Sequence, residues 1–337
     1  MSKTIVSFLC CVILLSCAKP TAPESLTPGS GGYVVVSTLA VPGYAQDVKV
    51  KDTIAYVAQG EGGLSIVNVA DRAHPRMLSI CQDGVKGYSY KIALKDSTAY
   101  LAAGGFHVNT INVGNPCAPL FVVNQGTRST LDLAVFGTWL IASTGEYGLQ
   151  VGDLGDVTPG YVDFKSTIAN PGYAHGMAIT ADTSLLLASG EMGLTVFNLR
   201  DIDEVLGFYR DDKRYDAWID LPGYAVDVTT MGNQPVAFVA CGTAGVQIVN
   251  FADTGNVRII GSYATGGYAK EVVYQNNRLY VTTELRGLQI LGVENPAAPR
   301  LIGAIETKYA LGVAVDDHYV YVSDETEGLI IIAIPAY

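Results

Sequence analysis

The chain is short of positive charge. Lys and Arg supply 21 of its 337 residues against 32 Asp and Glu, a formal net charge of −11. Nucleic-acid binding draws its affinity from clustered Lys and Arg that release counterions from phosphates. No nucleic-acid partner is therefore expected, and neutral or cationic partners fit better. Histidine is scarce as well: His74, His107, His175 and His318 stand in unrelated contexts, and none opens an HExxH zinc motif. A GxSxG elbow, a Walker loop and an EF-hand loop are missing, and no CxxC pair occurs that would suit zinc or redox chemistry. No cofactor or metal is expected, and enzymatic readings lose their usual footholds. Helical stretches with apolar residues at three-to-four spacing are also absent.

Long apolar runs are confined to the first residues. Lys3 supplies a positive start, Ile5 to Leu15 are apolar, and small Ser16 follows. That run is too short for a bilayer core of about 30 Å and has the form of a secretory signal, residues 1–16. Leu14-Leu15-Ser16-Cys17 resembles the lipobox of bacterial lipoproteins, in which the signal is cleaved before a cysteine that then carries lipid. The resemblance implies lipidation at Cys17, a membrane-anchored protein and a place in the bacterial cell envelope. Residues 17–32, rich in Pro, Ser, Thr and Gly, have little to bury and are expected to be a flexible tether of about 20 Å reach. Cys81, Cys117 and Cys241 then remain, an odd number. A bridge between Cys81 and Cys117 and a pair of unpaired buried thiols are both compatible with their spacing.

What is abundant is glycine, at 37 residues, and tyrosine, at 20. Both recur in register. Gly63-Leu64, Gly148-Leu149, Gly193-Leu194, Gly245-Val246, Gly287-Leu288 and Gly328-Leu329 each open an alternating apolar run, with His107-Val108 in the same place in a weaker copy. The successive intervals of 44, 41, 45, 52, 42 and 41 residues are those of four-stranded propeller blades. In the first copy, Tyr44 to Val50, Ile54 to Ala58, Leu64 to Val69 and Arg76 to Ile80 read as strands separated by Gly and Asp turns. Such sheets are apolar on both faces and find cover only by stacking until a ring closes. The last copy stops one strand short, while Tyr33 to Val41 is a spare strand at the front. Residues 33–337 are therefore expected to form an all-β, seven-bladed β-propeller, its last blade completed by the N-terminal strand.

Gly63-Leu-Ser-Ile-Val-Asn-Val-Ala-Asp71 with His74-Pro-Arg76, and Gly287-Leu-Gln-Ile-Leu-Gly-Val-Glu-Asn295 with Ala298-Pro-Arg300, resemble the LVIVD repeat of bacterial and archaeal surface proteins. The resemblance covers nearly all of the mature chain and implies an exported β-propeller. It implies little about activity. Copies two, three and seven depart from the pattern at His107-Val-Asn-Thr, Val151-Gly-Asp153 and Ile330-Ile-Ile-Ala-Ile334.

In a propeller the connections between blades and the turns from second to third strand emerge on one face. There the innermost strands begin with Tyr44, Tyr88, Tyr173, Tyr224, Tyr268 and Tyr309, Ser129 taking the remaining place. The neighbouring turns carry Glu61, Glu146, Glu191, Glu284 and the cluster Asp324, Glu325, Glu327. Tyrosine faces and carboxylates suit a glycan or a protein with cationic groups. A repeated Gly-Tyr that packs blade on blade would give the same pattern. Departures from repetition are more informative. The 52-residue interval places an insertion at Tyr209 to Asp220, taken as the connection into the fifth blade on that face, with Tyr215 and Trp218 as recognition residues.

Three residues after the tyrosine position stand Asp47, Lys91, Asp132, Gly176, Asp227, Glu271 and Gly312. These channel residues either hold a hard cation through carboxylate oxygens or line a water-filled tunnel with partly paired charges. His175 lies close by and has Glu191 near it, but no nucleophile is paired to it. The leading expectation is a non-enzymatic, lipid-anchored module that binds an envelope protein or glycan. The alternatives are an envelope hydrolase or lyase with Asp227 or Glu271 as acid and base, and a scaffold with an apolar patch on its rim.

Overall fold

The computed structural model describes residues 29–126, 128–155, 160–200 and 215–336. The expected leader, Cys17 and nearly all of the expected tether lie outside the described residues. Seven four-stranded antiparallel sheets follow one another along the chain. The first runs Asp47–Lys51, Ile54–Ala58, Leu64–Asn68 and Arg76–Cys81 from axis to rim, as the alternation and turn residues predict. The seventh joins Ala310–Val315, Tyr319–Asp324 and Gly328–Ala333 to Val34–Leu39 from the front of the chain. Pairing runs from Val34 opposite Ala333 to Leu39 opposite Leu329. The ring is closed by the two ends of one polypeptide, which removes an open edge. Among the described residues no helix is long and apolar enough to cross a membrane.

The repeated glycine has a steric cause. Gly63, Gly148, Gly193, Gly245, Gly287 and Gly328 all adopt φ between 70 and 88°, a conformation L side chains avoid. A Cβ at any of them would also collide with a carbonyl oxygen of the outermost strand. His107 holds the same turn at φ 72° without that freedom. In every blade but the fourth the outermost strand also carries a register shift, as between Ile66 and Val67. Bulges of this kind bend and twist an edge strand.

One apolar cluster fills each gap between neighbouring blades, seven in all. Burying a Leu, Ile or Val side chain contributes about 1.5–3 kcal/mol, so each interface supplies much of what a lone sheet lacks. Polar pins supplement this packing. The second-to-third-strand turn of one blade bridges the start of the next, as Gly60 with Ser89 and Gly190 with Ala225. At the seam between blades 7 and 1, the Arg72 side chain donates to the Tyr321 hydroxyl at 3.1 Å, pairs with Asp316 at 3.4 Å and covers the Tyr319 ring.

Two expectations shift. Close packing begins before Tyr33: Ser30 accepts the Tyr33 N–H at 3.0 Å, and Gly31 and Gly303 leave no room for a Cβ between the incoming chain and blade 6. The last residues assigned to the tether are thus laid on the propeller. The 52-residue interval is also relocated. Ala217–Ile219 is the outermost strand of blade 4, with Trp218 opposite Thr195. The extra residues therefore fall in sequence between the third and fourth strands, whose adjoining ends, Asn198 and Ala217, stand on the face opposite the tyrosines. Ala217 and Ile219 pack into the cluster between blades 4 and 5, leaving Trp218 outward and 43% exposed. Tyr215 turns its ring edge-on to Phe197. Residues 201–214 of the insertion lie outside the described residues.

Candidate functional site

The tyrosine column is used first for packing. A Cβ on Gly60 would stand 2.7 Å from Cζ of Tyr88, one on Gly145 2.7 Å from Tyr173, one on Gly190 3.0 Å from Tyr224, and one on Gly242 2.9 Å from Tyr268. Each ring covers the turn glycine of the preceding blade. Where blade 3 has Ser129 instead, Tyr90 of blade 2 covers Gly104. Tyr309 meets Glu284, which takes the glycine's position in the sixth turn at φ 50° and bonds the hydroxyl. Glu284 is thus one place out of register with Glu61, Glu146 and Glu191, and exposed Leu285 occupies their place. The other expected acids divide. Glu61, Glu146 and Glu191 are exposed. Asp324 is buried and accepts the N–H groups of Tyr309, Thr326 and Glu327 at 2.6, 2.9 and 2.8 Å. Tyr44, at 57%, and Tyr173, at 37%, remain the most exposed rings of the column.

The acids of the channel column also have structural partners. Asp47 accepts the Ile92 N–H at 2.8 Å, Asp132 that of Met177 at 2.9 Å, and Asp227 that of Val272 at 2.9 Å. Each carboxylate thereby ties its blade to the next. Gly176 keeps the channel column open here, because a Cβ would press on Asp227. Two lysines balance the acids. Lys91 Nζ is 2.5 Å from Glu271 and 4.0 Å from Asp47, and Lys49 Nζ is 3.3 Å from Asp47 and 3.7 Å from Glu271. Burial pulls the Lys91 ammonium down, but Glu271 and Asp47 outweigh it and hold it well above the ordinary lysine value. Burial lifts Asp132 and Glu271 above the usual carboxylate range and pushes Asp227 up to about 7, against the pull of Lys91. Among the described residues no group of three or more His, Cys, Asp and Glu could hold a metal ion.

Between the tyrosines and these acids lies a layer the sequence reading did not single out. The residues two places after the tyrosine position line a cavity of about 240 Å³. Gln46, Tyr90, His175 and Lys270 form its polar wall, and Leu131, Val226 and Leu311 its apolar one. Lys91, Asp132, Gly176 and Glu271 make the floor. Below that floor the channel widens to about 520 Å³ among aliphatic side chains such as Val50, Leu94, Leu133 and Val273. His175 sits between Tyr173 and Tyr224, ring centres 4.9 and 5.2 Å away, with Nε2 3.1 Å from the Tyr224 hydroxyl. Burial, aided by Lys270, lowers its pKa to about 4, so it is neutral at physiological pH. Burial and the neighbouring Lys91 also lower Lys270. The sequence signal for this layer was its irregularity: the column differs from blade to blade where the tyrosine column repeats.

Cys81, Cys117 and Cys241 are all free thiols, Cys117 exposed and the other two buried. Burial raises Cys241 to about 12.

The LVIVD repeat matches residues 42–83, 266–307 and 308–335. The chain therefore carries LVIVD repeats. No curated protein matches it in sequence. Solved structures resemble it in fold. The WD40 β-propeller domain of Doa1 superposes with a TM-score of 0.65 at 13% identity, over 90% of this chain and 97% of that one. A chain of the mitotic checkpoint complex gives 0.67 at 12% identity over 100% of both. The computationally designed Ika8 protein gives 0.62 at 6% identity, over 89% of this chain and 100% of that one. At these identities the likeness is one of fold alone.

Proposed function

We propose that the chain is a lipid-anchored propeller of the bacterial cell envelope that binds a glycan or an envelope protein on its tyrosine face, without catalysis. Cys17 carries the anchor, and the residues after it hold the propeller off the membrane. The observation that carries the binding reading is the asymmetric layer at Gln46, Tyr90, His175 and Lys270, faced by Leu131, Val226 and Leu311. Ligand sites are concave and mostly apolar, with a few placed polar groups. Here they interrupt an otherwise regular ring.

The carboxylates favour binding over an acid-base pair. Both Asp132 oxygens accept backbone N–H groups, those of Leu133 and Met177. Glu271 is set against Lys91 and Lys49, which leaves the raised Asp227, one oxygen of which accepts from Val272, without a second free carboxylate beside it. A glycosidase pair needs one group free to give a proton and another free to attack or activate water.

Capture from envelope extract tests the reading. Full-length protein is expected to retain a partner that Leu131→Trp, which fills the cavity from its apolar side, fails to retain. Trp218→Ala, on the rim of blade 4, is expected to retain it. Equal capture by all three proteins would overturn the assignment to this face.

A further inference from the structure

Two donors in the cavity have no acceptor. The Gln46 side-chain nitrogen is buried without a hydrogen-bond partner. The Lys270 ammonium enters no ion pair or hydrogen bond among the described residues, whereas Lys91 beside it lies against Glu271. A buried amide left unsatisfied costs about 1–3 kcal/mol; the Lys270 side chain is exposed to solvent at the cavity, so its ammonium is open to an incoming anion. An occupant that brings oxygen acceptors, one of them anionic, satisfies the amide and pairs the ammonium.

The surroundings narrow the class further. Tyr90 lines the cavity and is 39% exposed, and Tyr173, beside His175, is 37% exposed; aromatic rings of this kind can stack on the C–H faces of sugar rings. Glu61 and Glu191 stand exposed on the turns above. Their carboxylates accept hydrogen bonds from hydroxyls but repel a second anion. The volume of about 240 Å³ has room for one pyranose ring.

Resting on the reading that the ligand is a glycan, we propose that the cavity takes a single acidic sugar unit, a hexuronate. Its carboxylate meets the Lys270 ammonium, and another of its oxygens accepts from the Gln46 amide. One face of the ring lies on the tyrosines, and the other turns to Leu131 and Val226. The rim acids make an isolated uronate a better ligand than a run of adjacent ones.

Calorimetric titration of the full chain in detergent with glucuronate, its methyl ester and glucose tests this directly. Glucuronate is expected to bind at least tenfold more tightly than either neutral compound. Lys270→Met is expected to erase that preference and Lys270→Arg to keep part of it. Polygalacturonate is expected to bind no more tightly per unit than the monomer. Equal affinity for acid and ester on the unaltered chain overturns the carboxylate assignment while leaving glycan binding standing, and that comparison needs no variant to fold. Absence of binding to every sugar overturns both.

Discussion

Asp47 Oδ2 accepts the backbone N–H of Ile92 at 2.8 Å, so a side chain of blade 1 completes the backbone bonding of blade 2. The same carboxylate is fully buried and lies within reach of Lys49 and Lys91. Asp47→Ala leaves a buried N–H without an acceptor and takes a partner from two ammonium groups. A loss of about 3 kcal/mol or more is expected. Asp47→Asn keeps an acceptor and loses only the charge, so its loss is smaller. Urea denaturation midpoints at constant slope measure the difference, and equal losses would show that the backbone bond contributes nothing.

His107 occupies a left-handed turn that six other blades give to glycine. His107→Gly is expected to stabilise the protein by about 1 kcal/mol through relief of backbone strain. Gly193→Ala, where φ is 77° and the Ile219 carbonyl leaves no space, is expected to destabilise it by more than that. Melting temperatures of the two variants should move in opposite directions.

The ring closes at Arg72, which meets both Tyr321 and Asp316 across the seam. Arg72→Ala is expected to cost about 1–2 kcal/mol. A double-mutant cycle with Asp316→Ala should show a coupling of about 0.5 kcal/mol or more. Additive losses would mean that the two side chains act independently and that the seam rests on the apolar packing between blades 7 and 1.

His175 gives stability a pH dependence of known sign. Its folded pKa of about 4 lies below the ordinary histidine value of 6.5, so the unfolded chain takes up a proton that the folded chain refuses. Stability is fully present above pH 6.5 and declines as pH falls toward 4, by about 1–3 kcal/mol. Asp227 acts in the opposite direction: raised to about 7, it contributes stability at low pH that is lost as pH rises through 7. Comparing the wild-type protein with His175→Gln at each pH isolates the histidine. The variant's deficit or surplus should change between pH 4 and 7, and a constant difference would contradict a neutral His175.

Blade count, strand order and closure were legible in the sequence because backbone geometry imposes them on every copy. Gly63 and its counterparts repeat because an outer-strand carbonyl sits where a Cβ would be. The insertion was harder to place. Its length is plain, but Ala217-Trp218-Ile219 is too short to announce itself as a strand, and its pairing to Leu194 decides which face the extra residues leave from. The channel acids could be found but not interpreted, since only coordinates show Asp47, Asp132 and Asp227 bonded to the next blade. The cavity layer stayed hidden because Gln46, Leu131 and Lys270 have no chemistry in common. They form a set only by height in the channel.

Binding at the asymmetric layer is tested most directly by hydrogen exchange of the full chain with and without its captured envelope ligand. Slower exchange is expected at the starts of the innermost strands, around Gln46, Tyr90, His175 and Lys270, with Ala217–Ile219 unchanged. Protection confined to Ala217–Ile219, or none on the tyrosine face, would contradict it.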